Sequence, residues 1–324
     1  DGWYKGWNWR ADGRSATGRW ETFHAAPLPT PTPQRYRLPY PCVIGTFEGT
    51  WHKAAAIYRR WALKQSWCAE GPIAARDSIP EPLKRSACWL KYYFEPGKVL
   101  HELWDHQQYL RVPMAVHYYR YPVSRFDDNY PEFLPAKPGF LRGVADMQRL
   151  GAQVVPYTQG SIWDTDTQSW RLEGGFEAAA KQQDGSLYEW PIHENIHAWM
   201  CPATETWQNK VFDFTSKLVW DHGVDGVYLD VLSAGRARPC YDPDHGHPIH
   251  GGNDWGQGNR RLVDSLRKRV RARKPDAVFT TEEICEIYLD KFDAFLTLDV
   301  TRGGYIPPVM LLPLFTAVYH DYAI

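Results

Sequence analysis

Two short segments place carboxylates where chemistry could use them. Asp225-Gly-Val-Tyr-Leu-Asp230 is an apolar run that ends in an acid. Side chains of a β-strand alternate between faces, so Val227 and Leu229 share one face and Gly226, Tyr228 and Asp230 the other. The apolar pair suits a cover of helices, and the second set suits a barrel interior that opens at the carboxyl ends of its strands. A strand-end Asp that merely caps the next loop is the equally ordinary reading of this motif taken alone. In Thr280-Thr281-Glu282-Glu283 the same alternation puts Val278, Thr280 and Glu282 on one face. Glu282 then points where Asp230 does, and Glu283 points away. One long loop and one helix separate the two acids, which predicts adjacent parallel strands about 4.8 Å apart. Cleaving a glycosidic bond needs such a pair, one acid to protonate the leaving oxygen and one carboxylate beneath the oxocarbenium-like centre. Burial and mutual repulsion can keep one group protonated and the other ionised. Asp230 is the expected nucleophile and Glu282 the expected acid/base.

Other candidates are weaker when judged singly. Cys240-Tyr-Asp-Pro-Asp-His245-Gly-His247-Pro, followed by His250-Gly-Gly, is a constrained loop. Its cysteine and histidines could hydrogen-bond a substrate, bind zinc together with Asp242, or simply order the loop. Trp163 and Asp164 after a third strand, Asp299 after a sixth, Glu286, and the pair His320-Asp321 after a seventh are expected at the same rim, as substrate contacts. Each would also serve as a loop or capping residue. The chain carries 16 Trp and 19 Tyr; aromatic faces suit ring-shaped ligands as well as cores. Trp89, Trp163, Trp190, Trp199 and Trp255 fall near expected strand ends or loops.

The elements that must position these residues alternate. After a stretch rich in Trp, Gly and Pro, read as irregular to about Pro41, a helix is predicted over Trp51–Leu63 with Thr50 at its N-cap. A Pro-containing connector, Gly71 to Pro82, follows. Residues 1–82 are thus an N-terminal extension, a helix with a possible β-sandwich remnant, and 83–324 the barrel. Strands are predicted at Ala87–Phe94, Pro113–Tyr119, Gln153–Thr158, Asp225–Asp230, Ala277–Thr281, Ala294–Leu298 and Leu314–Tyr319. Helices are marked by Phe140, Val144 and Met147, by Val211, Phe214 and Leu218, and by Leu262, Leu266 and Val270. Alternating strands and helices imply a parallel α/β sheet with crossover helices. The expected architecture is a (β/α)8 TIM-type barrel; seven strands are counted, which suggests a final unit missing at the C-terminus. No Gly-rich phosphate loop follows an early strand, against the doubly wound alternative.

Composition excludes more than it specifies. With 37 basic and 38 acidic residues the net charge of −1 gives no footprint for nucleic acid or an anionic membrane. No apolar run reaches a membrane span, and no signal-peptide pattern opens the chain. The six cysteines contain no Cys-x-x-Cys pair, and no cofactor is implied.

Five segments taken together carry a resemblance: Gly45-Thr-Phe-Glu-Gly-Thr-Trp51 through Trp61, Cys201-Pro-Ala-Thr204, Asp225–Asp230, Cys240–Pro248 and Thr280–Glu286. From about residue 43 to the end the chain resembles an uncharacterised bacterial family of glycoside-hydrolase-like barrels, distantly similar to the α-amylase and α-galactosidase superfamilies. The resemblance implies a retaining glycosidase that acts on an oligo- or polysaccharide. It implies an Asp nucleophile on strand four at Asp230, a Glu acid/base after strand five at Glu282, and a His-Asp pair after strand seven at His320 and Asp321. Tyr228 stands where the α-amylase pattern has Arg. A metal-dependent barrel hydrolase using Cys240, His245 and His247, and a carbohydrate-binding barrel without turnover, are the alternative readings.

Overall fold

The computed structural model describes residues 3, 5–11, 18–28, 37–298 and 312–324. Strands β1 (Lys5–Ala11) and β2 (Gly18–His24) form an antiparallel hairpin with Trp9 opposite Trp20. This stretch was expected to be irregular. Its Gly- and Arg-rich composition hides the period-two spacing of Trp7 and Trp9. A two-residue strand, β3 (Pro27–Leu28), follows. Helix α1 (Trp51–Ala62) starts at Thr50 as predicted, although the Thr50 side chain makes no capping hydrogen bond. Helix α2 (Glu81–Arg85) then leads into the main sheet.

That sheet begins with β4 (Cys88–Tyr93), α3 (Pro96–Leu110), β5 (Met114–Tyr119), α4 (Phe140–Arg149) and β6 (Ala152–Gln159). An insertion after β6 contains β7 (Ile162–Asp164), α5 (Gln168–Leu172), α6 (Gly175–Ala178), β8 (Glu189–Ile192) and β9 (Asn195–Trp199). Its strands make a separate antiparallel sheet in the order β7-β9-β8. The main series resumes with α7 (Glu205–Ser216), extended by a π-helical turn at Lys217–Asp221, and β10 (Gly226–Asp230). Strand β11 (Ile249–His250) pairs back to β3, and α8 (Asp254–Arg271), β12 (Val278–Glu282), β13 (Ala294–Leu296) and α9 (Leu314–Tyr319) complete the series.

Six strands form the main sheet, all parallel, in the spatial order β4-β5-β6-β10-β12-β13. The spatial order equals the chain order, as in a barrel. His117 on β5 and Thr280 on β12 lie three strands apart, roughly 14 Å along a flat sheet, yet their Nε2 and Oγ1 are 3.1 Å apart. The sheet is therefore curled into part of a barrel. Trp89 and Tyr228 flank the His117 ring at centroid distances of 4.6 and 4.7 Å and fill the concave side. Burial, with Lys91 nearby, pushes His117 down to about 3, so it is neutral packing in this interior.

The predicted helical faces are the buried ones. Phe140, Val144 and Met147 of α4, Val211 and Phe214 of α7, and Leu262, Leu266 and Val270 of α8 all pack into one core with the sheet. Arg267 and Arg271 of α8 reach behind β12 to Asp293, which is buried and also accepts the Phe279 backbone N–H at 2.8 Å.

One predicted strand is a helix. Leu314–Tyr319 forms α9, so the described main sheet has six strands rather than seven. A six-residue apolar run fits either period. Here Leu314 and Val318, and Phe315 and Tyr319, stand four apart, and Val318 and Tyr319 pack with Ala55, Ala62, Trp67 and Cys68. Arg59 of α1 adds two hydrogen bonds to Asp321, at 2.8 and 2.9 Å.

Candidate active site

Asp230 is the last residue of β10 and Glu282 the last of β12. The two strands pair in register through Tyr228 opposite Thr280 and Leu229 opposite Thr281, so the acids follow side by side at the carboxyl rim. Both line one cleft of about 450 Å³, together with Phe126, Asp127, Tyr157 and Trp190.

The environment of Asp230 is specific. The Tyr228 hydroxyl donates to Oδ1 at 2.7 Å and the Tyr157 hydroxyl to Oδ2 at 2.9 Å. These rings and that of Tyr119 make an aromatic floor, with centroids 5.0 to 6.2 Å apart. Burial raises the Asp230 carboxyl above its ordinary range, the two phenol donors oppose that rise, and the charge of Asp127 adds to it. The carboxylate is thus poorly hydrated but oriented by two fixed donors.

Asp127, on the loop after β5, is a third acid in the cleft. Its backbone is left-handed at φ 70°, and its Oδ1 accepts the Tyr130 hydroxyl at 3.0 Å. Burial raises its pKa, and the Tyr130 bond works against that rise. Sequence reasoning missed it because a loop acid in Phe-Asp-Asp-Asn looks like ordinary turn chemistry. Tyr157 was findable, since the alternation Val155, Tyr157, Gln159 puts it on the inward face. The cleft's far wall comes from the insertion, where Trp190 stacks on Trp199 at 5.5 Å with 9° between ring planes.

The other residues singled out in the sequence are dispersed. Tyr228 lies under Asp230, as its place on the strand implies. Trp163 is fully buried, its indole N–H directed to Thr167 and Ser169. Asp164 is also fully buried and accepts from Asn129 N, Asn195 Nδ2 and Asp166 N at 2.6 to 2.9 Å, which ties the loop bearing Asp127 to the insertion. Glu286 accepts the Tyr58 and Tyr319 hydroxyls at 2.8 Å. His320 is exposed beside Asp321, which is held by Arg59. Trp163, Asp164, Glu286, His320 and Asp321 do not line the cleft of Asp230. They sit elsewhere because α9 is a helix docked on α1, and because the chain after β6 turns into the inserted sheet. Cys240, His245 and His247 gather with Cys201 in a separate cluster. Asp299 lies outside the described residues.

A curled parallel sheet with acids at its carboxyl rim has the form of part of a TIM-type barrel. Residues 36–324 match the family described as "Domain of unknown function (DUF6259)", and the chain belongs to that family. A Bacteroides thetaiotaomicron protein named "Putative glycoside hydrolase" is 30% identical over 294 residues, covering 89% of this chain and 42% of that protein. The fold is similar to that of the α-N-acetylgalactosaminidase NagBb of Bifidobacterium bifidum, solved with GalNAc. Their TM-score is 0.69 at 14% identity, over 84% of this chain and 47% of that one. It is also similar to the GH36 α-galactosidase AgaA of Geobacillus stearothermophilus, solved with raffinose. That TM-score is 0.53 at 10% identity, over 71% of this chain and 33% of that one. The chain thus spans less than half the length of each. No described helix is long and apolar enough to cross a membrane.

Proposed function

We propose that the protein is a glycosidase that cleaves an oligo- or polysaccharide with retention of configuration, with residues 83–324 as the catalytic part of a (β/α)8 barrel. The observation that carries the reading is the meeting of Asp230 and Glu282 at in-register strand ends on one cleft. The relative named a glycoside hydrolase supports the reaction class. Strand spacing favours the carboxyl separation of about 5–5.5 Å used in retention over the 6.5–9.5 Å used in inversion.

In the first step Glu282, protonated, gives its proton to the glycosidic oxygen as the Asp230 carboxylate attacks the anomeric carbon. The C–O bond to the leaving group breaks and a glycosyl ester of Asp230 forms. In the second step Glu282, now a carboxylate, takes a proton from water, and that water displaces Asp230 from the anomeric carbon. Tyr157 and Tyr228 hold Asp230 in the attacking orientation. Trp190 offers a face on which a sugar ring can stack. Asp127 is the second candidate for the proton donor, since burial favours its protonated form.

A panel of aryl glycosides tests the assignment. Asp230→Asn is expected to abolish turnover. Glu282→Gln is expected to lose most activity on poor leaving groups and least on activated ones. NMR of the first-formed product should show the anomer of the substrate. Full activity in Asp230→Asn sinks the reading, whereas a leaving-group-dependent loss in Asp127→Asn but not in Glu282→Gln moves the acid role to Asp127.

A further inference from the structure

Outside the cleft, the described residues contain a second group of reactive side chains. Cys201 follows β9, and Cys240, His245 and His247 come from the loop between β10 and β11. One sulfur or ring nitrogen from each lies within 4.8 Å of all the others. Cys240 Sγ is 3.3 Å from His245 Nδ1, and Cys201 Sγ is 3.4 Å from His247 Nε2. A tetrahedral ion with Zn–S of about 2.3 Å and Zn–N of about 2.0–2.1 Å has S–N edges of roughly 3.5 Å. Both observed edges are of that size.

The far side of each imidazole gives an independent observation. His245 Nε2 lies 2.7 Å from the Glu177 carbonyl oxygen, and His247 Nδ1 lies 2.8 Å from the Pro248 carbonyl oxygen. A carbonyl can only accept, so each of these nitrogens carries the proton. In the neutral imidazole the opposite nitrogens, Nδ1 of His245 and Nε2 of His247, then carry the lone pairs, and these are the nitrogens that face the two sulfurs. A rear N–H anchored on a carbonyl is how metal-binding histidines are oriented. The Lys181 backbone N–H points at Cys240 Sγ from 3.5 Å, a donor suited to a thiolate. Cys201, Cys240 and His245 are buried, and half-buried His247 leaves a route for an ion to enter.

We propose that Cys201, Cys240, His245 and His247 bind one structural zinc(II) ion. Four protein ligands fill the tetrahedron and leave no position for a reacting water, unlike a catalytic zinc with three ligands. None of the four lines the cleft of Asp230. The ion fastens the end of the insertion to the loop that follows the strand of Asp230. Cys201 stands two residues after Trp199, the ring that backs Trp190 in the cleft wall, and the Arg238 guanidinium, two residues before Cys240, lies 4.1 Å from the Trp199 ring centroid. The proposal stands apart from the glycosidase reading and holds whatever the cleft acts upon.

The test is metal content in the purified, reduced protein by inductively coupled plasma mass spectrometry, followed by cobalt(II) exchange. One zinc per chain is expected. Cobalt should give thiolate-to-metal charge transfer in the near ultraviolet and the intense visible bands of a tetrahedral site. Cys201→Ser and His247→Ala should each lose stoichiometric zinc, and a chelator should lower the melting temperature of the wild type but not that of His247→Ala. Wild-type protein that takes up neither zinc nor cobalt overturns the proposal, as does zinc retained equally by both variants. If a variant does not fold, the wild-type cobalt spectrum decides: bands without thiolate charge transfer overturn it.

Discussion

Replacing Tyr228 by Phe removes one hydroxyl from the floor beneath Asp230 and leaves the ring in place. The ring is 1% exposed and packed among His117, Tyr119 and Tyr157, so little else should move. The lost interactions are the 2.7 Å bond to Asp230 Oδ1 and the hydroxyl's contact with Tyr119. Hydrogen bonds to charged groups contribute about 1.5–3 kcal/mol, and 1.36 kcal/mol is one pKa unit. The Asp230 ionisation constant in the folded protein should fall roughly ten- to hundredfold. Burial already raises this pKa above its unfolded value. Ionised Asp230 therefore costs stability above the unfolded carboxylate pKa, and that cost disappears at lower pH, where both states are protonated. Tyr228→Phe enlarges the cost by up to about 3 kcal/mol at neutral pH, and the gap from wild type should narrow as pH falls through the carboxylate range. Urea unfolding of both proteins across pH measures it. The acid limb of kcat/KM on an aryl glycoside should move to higher pH in the variant. A stability gap that is the same at every pH, or that persists undiminished in the Asp230→Asn background, would refute the coupling.

Three further outcomes follow from the packing. Asp293→Ala leaves Arg267 and Arg271 without their shared anion, at a cost of about 3–5 kcal/mol. With about 2.1 cal/mol/K of unfolding entropy per residue over 324 residues, the melting temperature should drop by about 4–7 °C in calorimetry. Gly226→Ala would put a Cβ 1.9 Å from the Val278 carbonyl oxygen on the paired strand; soluble yield or melting temperature should fall sharply, and an unchanged value would mean that the strands are not this close. Trp190→Ala should raise KM with kcat little changed, the pattern of lost uniform binding, while costing only about 0.5–1.5 kcal/mol of stability from the stack on Trp199.

Local patterns were legible where each residue's surroundings follow from its own element. The period-two strand containing Tyr228 and Asp230, and the helical faces of α4, α7 and α8, are set by neighbours three or four residues away or by a single sheet face. Contacts made across distant loops were not legible. Asp127 reaches the cleft because Asp164, far along the chain, accepts the Asn129 N–H beside it. Trp190 reaches it because β8 pairs with β9 inside an insertion whose strands have no crossover helices to announce them. Asp164 illustrates the ambiguity of strand-end acids, since the same position that suits chemistry also suits three backbone and side-chain donors. Cys201 and Cys240 are separated by α7 and β10, so no spacing rule could have joined them.

The convergence of Asp230 and Glu282 depends on register more than on proximity, because a slip of one residue would turn either acid to the helical side of the sheet. Several contacts oppose that slip. The Thr281 hydroxyl donates to the Leu229 carbonyl and the Thr158 hydroxyl to the Tyr228 carbonyl, both at 2.8 Å, so each strand neighbouring β10 is pinned within two residues of Asp230. At the strand's start, the Val278 N–H donates to the Asp225 carbonyl at 2.9 Å, and glycine at 226 permits the close approach. His117 lies against Thr280 from across the curled interior and links β5 to β12. Serine or valine at 281 would keep much of the shape or the β-propensity, but valine would remove the hydroxyl that ties β12 to β10. The Thr158 and Thr281 hydroxyls therefore hold the register that brings Asp230 and Glu282 to one cleft.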